Sequence, residues 1–168
     1  DQVKWIKYGK NHFCPIILGQ VVNDRYRIIS LLGFGGAGMV WLAIDEPHPR
    51  YYVALKITRG CDRTGNEELT LRLLMQSRDH DSRGGHKIIE LFDAFDIESA
   101  NGIHRCLVLE LAAGSLVDIK HHEEFTFDQH LVMFKQCVQA VAHLHSQGLV
   151  HGGNHRLPPT LSPVDTLR

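Results

Sequence analysis

From Arg25 onward, apolar residues fall into short runs whose period changes along the chain. RYRIISLL and MVWLAID are brief and rich in aromatic and β-branched residues, which suits strands. FGGAG between them predicts a hairpin with a glycine-rich turn. EPHPR, with Pro47 and Pro49, predicts a second turn, and YYVALKI a third strand. On that strand Tyr51, Val53, Leu55 and Ile57 share one face, and Tyr52, Ala54 and Lys56 the other. Residues 64–75 carry a helical period opened by a capping box of Thr64 and Glu67. KIIELFDAF and HRCLVLEL predict two more strands, joined through IESANG, whose Asn101-Gly102 pair favours a hairpin. AAGS then breaks the pattern. A long helix is expected over 126–147. Thr126 with Gln129 forms a second capping box, Leu131, Phe134, Val138, Val141 and Leu144 recur at helical spacing, and Gly148 is placed to end it.

This order predicts an α+β fold: a five-stranded antiparallel sheet with one helix, followed by a helical region. Three segments follow: an irregular arm at 1–24, a sheet-bearing part at 25–112, and a helical part at 113–168.

Composition adds mainly exclusions. The apolar share of 43% and charged share of 22% are ordinary for a globular protein. Lys plus Arg is 18 and Asp plus Glu is 19, for a formal charge of -1, so nothing favours nucleic acid or an anionic membrane as partner. The twelve histidines are scattered, and neither His121-His122 nor His143 with His145 has the spacing of a zinc site. Four cysteines, Cys14, Cys61, Cys106 and Cys137, lie far apart and read as free thiols in a reducing compartment. No apolar run is long enough to span a membrane, and DQVKWIKYGKNHFC lacks the apolar core of a signal peptide, so an intracellular location is expected.

The candidate chemistry begins in the glycine-rich turn, Gly33-Phe34-Gly35-Gly36-Ala37-Gly38-Met39-Val40, which reads G-x-G-x-x-G-x-V. Glycines let backbone N–H groups approach phosphate oxygens. By itself such a turn is often only a turn. A dinucleotide-binding version needs a helix after it, whereas here a strand follows. Val53-Ala54-Leu55-Lys56 on the next strand adds a lysine sharing a face with a small alanine, which would leave room for an adenine ring. That lysine needs a carboxylate, and the capped helix supplies Glu67 and Glu68. Their side chains diverge by about 100°, so only one can face the sheet; Glu68 is the preferred partner on helical phase, with Glu67 the alternative.

Together these stretches resemble the SR-protein kinase family, especially its fungal members. The similar segments are Tyr8-Gly9, HFCPIILGQ, RYRIISLLGFGGAGMVWLAID, VALKI, LFDAFDIESANGIHRCLVLELAAGSL and HLHSQGLVHG, spanning roughly residues 5–153. The resemblance implies a kinase-like fold with a complete N-terminal lobe and the first helices of the C-terminal lobe. It implies a serine/threonine kinase chain whose ATP site uses Leu32, Gly33, Gly35, Gly38, Val40, Ala54, Lys56, Glu68, Leu109, Glu110 and Ala112. Leu109 would be the gatekeeper beside adenine, and residues 110–112 the hinge. The long helix would deliver the catalytic loop.

That loop departs from the family pattern. His151-Gly152-Gly153-Asn154-His155-Arg156-Leu157-Pro158 stands where the family has His-Arg-Asp or His-Gly-Asp, four residues, then Asn. Gly153 occupies the catalytic Asp position and has no group to accept a hydroxyl proton. Asn154 comes four residues early, and Pro158 holds the position of the metal-binding Asn. No Asp-Phe-Gly occurs in the sequence. No intact catalytic residue and no Mg²⁺ ligand is therefore expected, and ATP should bind weakly. The chain is expected to be inactive as it stands; the alternatives are a pseudokinase or interaction fragment, or a truncated gene product without activity. A protein partner covering the long helix is a further expectation, and so is an intracellular location in cytoplasm or nucleus.

Overall fold

The computed structural model describes residues 13–60, 65–77, 84–112 and 126–150. These fall into two compact units. The first carries a six-stranded antiparallel sheet made of β1 (Val21–Val22), β2 (Tyr26–Phe34), β3 (Gly38–Asp45), β4 (Tyr52–Thr58), β5 (Leu91–Ser99) and β6 (Gly102–Glu110). The strand order is β1-β2-β3-β4-β6-β5, so β4 is interior and pairs with both β3 and β6. The second unit carries α1 (Gly65–Gln76), a 3₁₀ turn (Gly85–Lys87) and α2 (Phe127–Ser146).

Register explains which side chains form the core. Trp41 pairs with Leu55 and Met39 with Ile57; Leu55 in turn pairs with Val108, and Ile57 with Cys106. Residues directly opposite on neighbouring strands project to the same face. These join Tyr26, Ile28, Ala43 and Val53 in one buried cluster. Each fully buried Leu or Ile in it contributes roughly 1.5–3 kcal/mol relative to an exposed one. Cys14 is part of the cluster, and Phe13 and Ile16 pack against it. Burial pushes the Cys14 thiol up to about 11 and raises Cys106 further, so both are protonated, inert core groups.

The arm therefore departs from the expected irregular segment. Its Phe13, Cys14 and Ile16 pack on the core, and Val21–Val22 adds a sixth strand by pairing with Arg27 and Tyr26. The turn between them uses Asn23 (φ 53) and Asp24 (φ 50), closed by Arg25 N–H donating to the Val22 carbonyl. Two successive left-handed residues make a type I′ hairpin turn, which Asn and Asp tolerate without glycine. A two-residue strand has no period to detect. Three other boundaries also shift. β5 begins at Leu91, not at the expected Lys87, because Lys87 closes the 3₁₀ turn Gly85–Lys87 and residues 88–90 follow it outside the strand. The tight turn before β6 uses Ala100 and Asn101, while Gly102 (φ 121) opens the strand opposite Ser99. The helix begins at Gly65, and Thr64, the expected cap, lies outside the described residues.

α2 follows its signals closely. Thr126 and Gln129 form the reciprocal capping box. At the other end Gly148 (φ 71) donates to the His145 carbonyl and Leu149 to Leu144, the paired bonds of a Schellman cap. Along the helix Leu131, Phe134, Val138 and Val141 are exposed by 56%, 68%, 51% and 38%, whereas Leu144 is buried.

At the far end of the β2–β3 hairpin, Arg25 grips Asp45 through Nε (2.7 Å) and a second guanidinium nitrogen (2.8 Å), with His48 Nδ1 3.3 Å from the same carboxylate. The Arg25 hydrogen bonds, and then its charge, hold the Asp45 carboxyl below its ordinary 3.8 against the opposing effect of desolvation. A depressed folded-state value stabilises the fold above pH 3.8 and is lost as pH falls below it. Asp45→Asn should therefore lower the melting temperature at pH 7 and flatten its decline below pH 4, measured by calorimetry across pH 2–7. The exposed stripe of α2 should bind a hydrophobic fluorescent dye, and Leu131→Gln with Phe134→Glu should reduce that signal at unchanged helicity.

Candidate functional site

The face of the sheet opposite the core carries the candidate site. Val40 pairs with Lys56, and Lys56 with Leu107; Leu42 pairs with Ala54, and Ala54 with Leu109. Val40, Ala54, Lys56 and Leu109 therefore lie on one face, as their two-residue spacing requires. Lys56 is 3% exposed, Ala54 4% and Leu109 1%. A buried ammonium is costly unless paired, so its burial in a central strand marks it apart from ordinary edge lysines. Leu42 and Leu107 share this face and were not among the expected site residues. The spacing of Leu107 to Leu109, and the antiparallel pairing of β3 with β4, are the signals that could have found them.

The glycine-rich turn joins β2 and β3 next to this face. Gly33 sits opposite Val40, and Leu32, 49% exposed, falls at a register shift in β2. Gly35 N–H donates to the Gly38 carbonyl (2.9 Å) and closes the hairpin. The glycines serve two purposes. A Cβ added at Gly38 would collide with the Ile57 carbonyl oxygen of β4, so packing forbids one. At Gly33, Gly35 and Gly36 an added Cβ would meet nothing within 4 Å. That open backbone is the cradle a phosphate chain would need, and a side chain would fill it.

β6 ends at Glu110, which is exposed like Leu111 and Ala112 after it, leaving this extended backbone accessible. In α1, Glu67, Leu71 and Leu74 recur at helical spacing and are all buried. Glu68 lies beside that stripe, half-buried, and Arg72 one turn on holds it at 2.9 Å. His151, Gly152 and Gly153 lie outside the described residues.

The two classes of glycine predict different outcomes in urea denaturation. Gly38→Ala should cost about 1–3 kcal/mol through overpacking. Gly35→Ala should leave stability unchanged or raise it by about 0.4–1 kcal/mol, because its backbone is already suited to alanine.

Comparison with known proteins agrees with this architecture. The family model described as "Protein kinase domain" matches residues 26–152. The serine/threonine-protein kinase spk-1 of Caenorhabditis elegans is 29% identical over 151 residues, covering 86% of this chain and 15% of that protein. The serine/threonine-protein kinase SRPK of Physarum polycephalum is 33% identical over 145 residues, covering 83% of this chain and 34% of that protein. The chain thus spans about a third or less of the length of these relatives. A crystal structure of a kinase domain superposes with a TM-score of 0.66 at 20% identity, covering 83% of this chain and 40% of the other. A sheet with this strand order, a buried lysine facing a glycine-rich hairpin, and these matches lead to one assignment: the chain belongs to the eukaryotic protein kinase family and is SR-protein-kinase-like.

Proposed function

We propose that this chain is the ATP-binding portion of a serine/threonine protein kinase of the SR type, and that it holds nucleotide without transferring phosphate. The observation that carries the reading is the shared face of Val40, Ala54, Lys56 and Leu109 beside an open glycine cradle. Ala54 leaves space for an adenine ring against Val40, with Leu109 at its back. The exposed backbone of residues 110–112 would hydrogen-bond the adenine edge, and Leu32 would cover it. Backbone N–H groups around Gly33, Gly35 and Gly38 would receive phosphate oxygens, and Lys56 would balance the α- and β-phosphate charge. ATP with Mg²⁺ supplies the transferable phosphoryl group in this family.

Inactivity rests on Gly153 and Pro158. With glycine at the catalytic Asp position, no side chain accepts the substrate hydroxyl proton, and proline cannot bind metal where the family uses Asn. Groups that act as a unit fail as a unit. Proline at that position also leaves triphosphate charge less well balanced by metal, so affinity should be on the order of 1 mM, about 4 kcal/mol of binding free energy. A second reading, an interaction fragment, is favoured by the exposed apolar stripe of α2, which a protein partner would cover.

Titration calorimetry and a radiolabelled phosphate assay on an Arg/Ser peptide test the proposal. ATP should bind at roughly 1 mM, and Lys56→Ala should weaken it. No phosphate should be transferred. Binding indifferent to Lys56→Ala would refute the site, and transfer abolished by Lys56→Ala would refute the inactivity.

A further inference from the structure

Beyond the nucleotide-facing residues, the first unit contains a connected set of contacts that ends on the tip of the glycine hairpin. The backbone leaving β4 is pinned at consecutive positions. The Thr58 carbonyl accepts from His104 Nδ1 at 2.9 Å, and the Thr58 hydroxyl accepts from the Arg105 N–H at 3.1 Å. His104 is itself held by Ser99 Oγ, 2.7 Å from Nε2. Gly60 lies so close to the β5–β6 turn that an added Cβ would stand 2.8 Å from the Asn101 carbonyl oxygen. Arg59, between these anchors, reaches the hairpin twice. Its N–H donates to the Ala37 carbonyl at 3.0 Å, and its guanidinium donates to the Gly36 carbonyl at 3.3 Å. The same guanidinium lies over the Phe13 ring, 5.2 Å from its centre. Phe13 is tied down in turn, because Asn101 Nδ2 donates to its carbonyl at 2.8 Å.

We infer that Arg59, held over the Phe13 ring and hydrogen-bonded to the Gly36 carbonyl, is a positioning residue that sets the glycine hairpin for phosphate, and that the N-terminal arm controls it through Phe13. The physical argument is one of rigidity. Gly33, Gly35 and Gly36 have no side chains with which to hold the hairpin tip, which is closed by the Gly35 N–H donating to the Gly38 carbonyl. A flexible glycine tip must be ordered when phosphate binds, and that ordering costs conformational entropy. Arg59 supplies restraint in advance from a pinned strand end. The aromatic face orients the planar guanidinium so that an N–H points at the tip. The arm therefore reaches the nucleotide-facing loop without touching nucleotide. Anything that displaces Phe13 frees the tip and weakens binding of the phosphate chain while leaving adenine contacts alone.

The role in nucleotide binding rests on the ATP site proposed above, whereas the restraint on the hairpin does not. The full chain carrying Arg59→Ala, Arg59→Lys, Phe13→Ala or Phe13→Tyr is compared with the parent in two measurements. In hydrogen exchange without nucleotide, the amides of Gly35 and residue 59 should exchange faster in Arg59→Ala and Phe13→Ala. Those pairing β4 with β6 should be unchanged. Phe13→Tyr, which keeps the ring, should preserve protection, and Arg59→Lys, which lacks the planar fork, should not. In titrations with ATP and with adenosine, Arg59→Ala should weaken ATP about tenfold and adenosine less than twofold. Phe13→Ala should give a smaller loss of the same kind, and the double variant should be no worse than Arg59→Ala. Unchanged exchange at Gly35 and residue 59 overturns the inference whatever the nucleotide results. Equal loss of ATP and adenosine, or faster exchange across the whole sheet, reduces Arg59 to a general structural role and also overturns it. If the parent chain binds neither ligand, the ATP site fails as a proposal, and the exchange data alone decide whether Phe13 and Arg59 restrain the hairpin.

Discussion

The period-two alternation of β4, locked between β3 and β6, is the constraint on which the rest of the structure depends. Leu55 and Lys56 are neighbours in sequence and lie on opposite faces, one in the hydrophobic cluster and one on the candidate site. Slipping β4 by one residue would send Lys56 into the cluster and Leu55 out of it. The cost of burying an unpaired ammonium there forbids the slip. The pairs Trp41 with Leu55 and Leu55 with Val108 thus hold the core together and, by the same register, place Ala54 beside Leu109 and Lys56 beside Val40.

Much of this was legible in the residue pattern, and the losses have physical causes. The strands around the glycine turn, the faces of β4 and both caps of α2 follow from local rules of alternation and capping. The extra strand Val21–Val22 does not, because two residues carry no period and its turn achieves positive φ with Asn23 and Asp24 instead of glycine. The 3₁₀ turn at Gly85–Lys87 hides behind apolar residues that read as strand. In α1 the boundary of the apolar stripe, Leu71 and Leu74 in and Leu69 and Leu73 out, could be read only once the helix was placed. Arg59 drew no notice in the sequence, since its partners, Phe13 and Gly36, are far away along the chain.

Chain chemistry and fold chemistry diverge at one point. In the proposed reading the sheet face offers nucleotide contacts, while Gly153 stands where the resemblance to the family expects the proton-accepting Asp. Nucleotide contact is distributed over many backbone and apolar groups and survives piecemeal, whereas proton transfer depends on a single carboxylate.

The most direct test of the central claim, that the Lys56 face is the nucleotide face, is labelling with an acyl-phosphate derivative of ATP followed by peptide mapping. Such a probe transfers its acyl group to an amine held beside the phosphates. The account predicts that Lys56 is the dominant acylated lysine, that excess ATP protects it, and that Gly35→Ala lowers its labelling. Labelling spread over exposed lysines such as Lys87 and Lys135, with no protection of Lys56 by ATP, would contradict it.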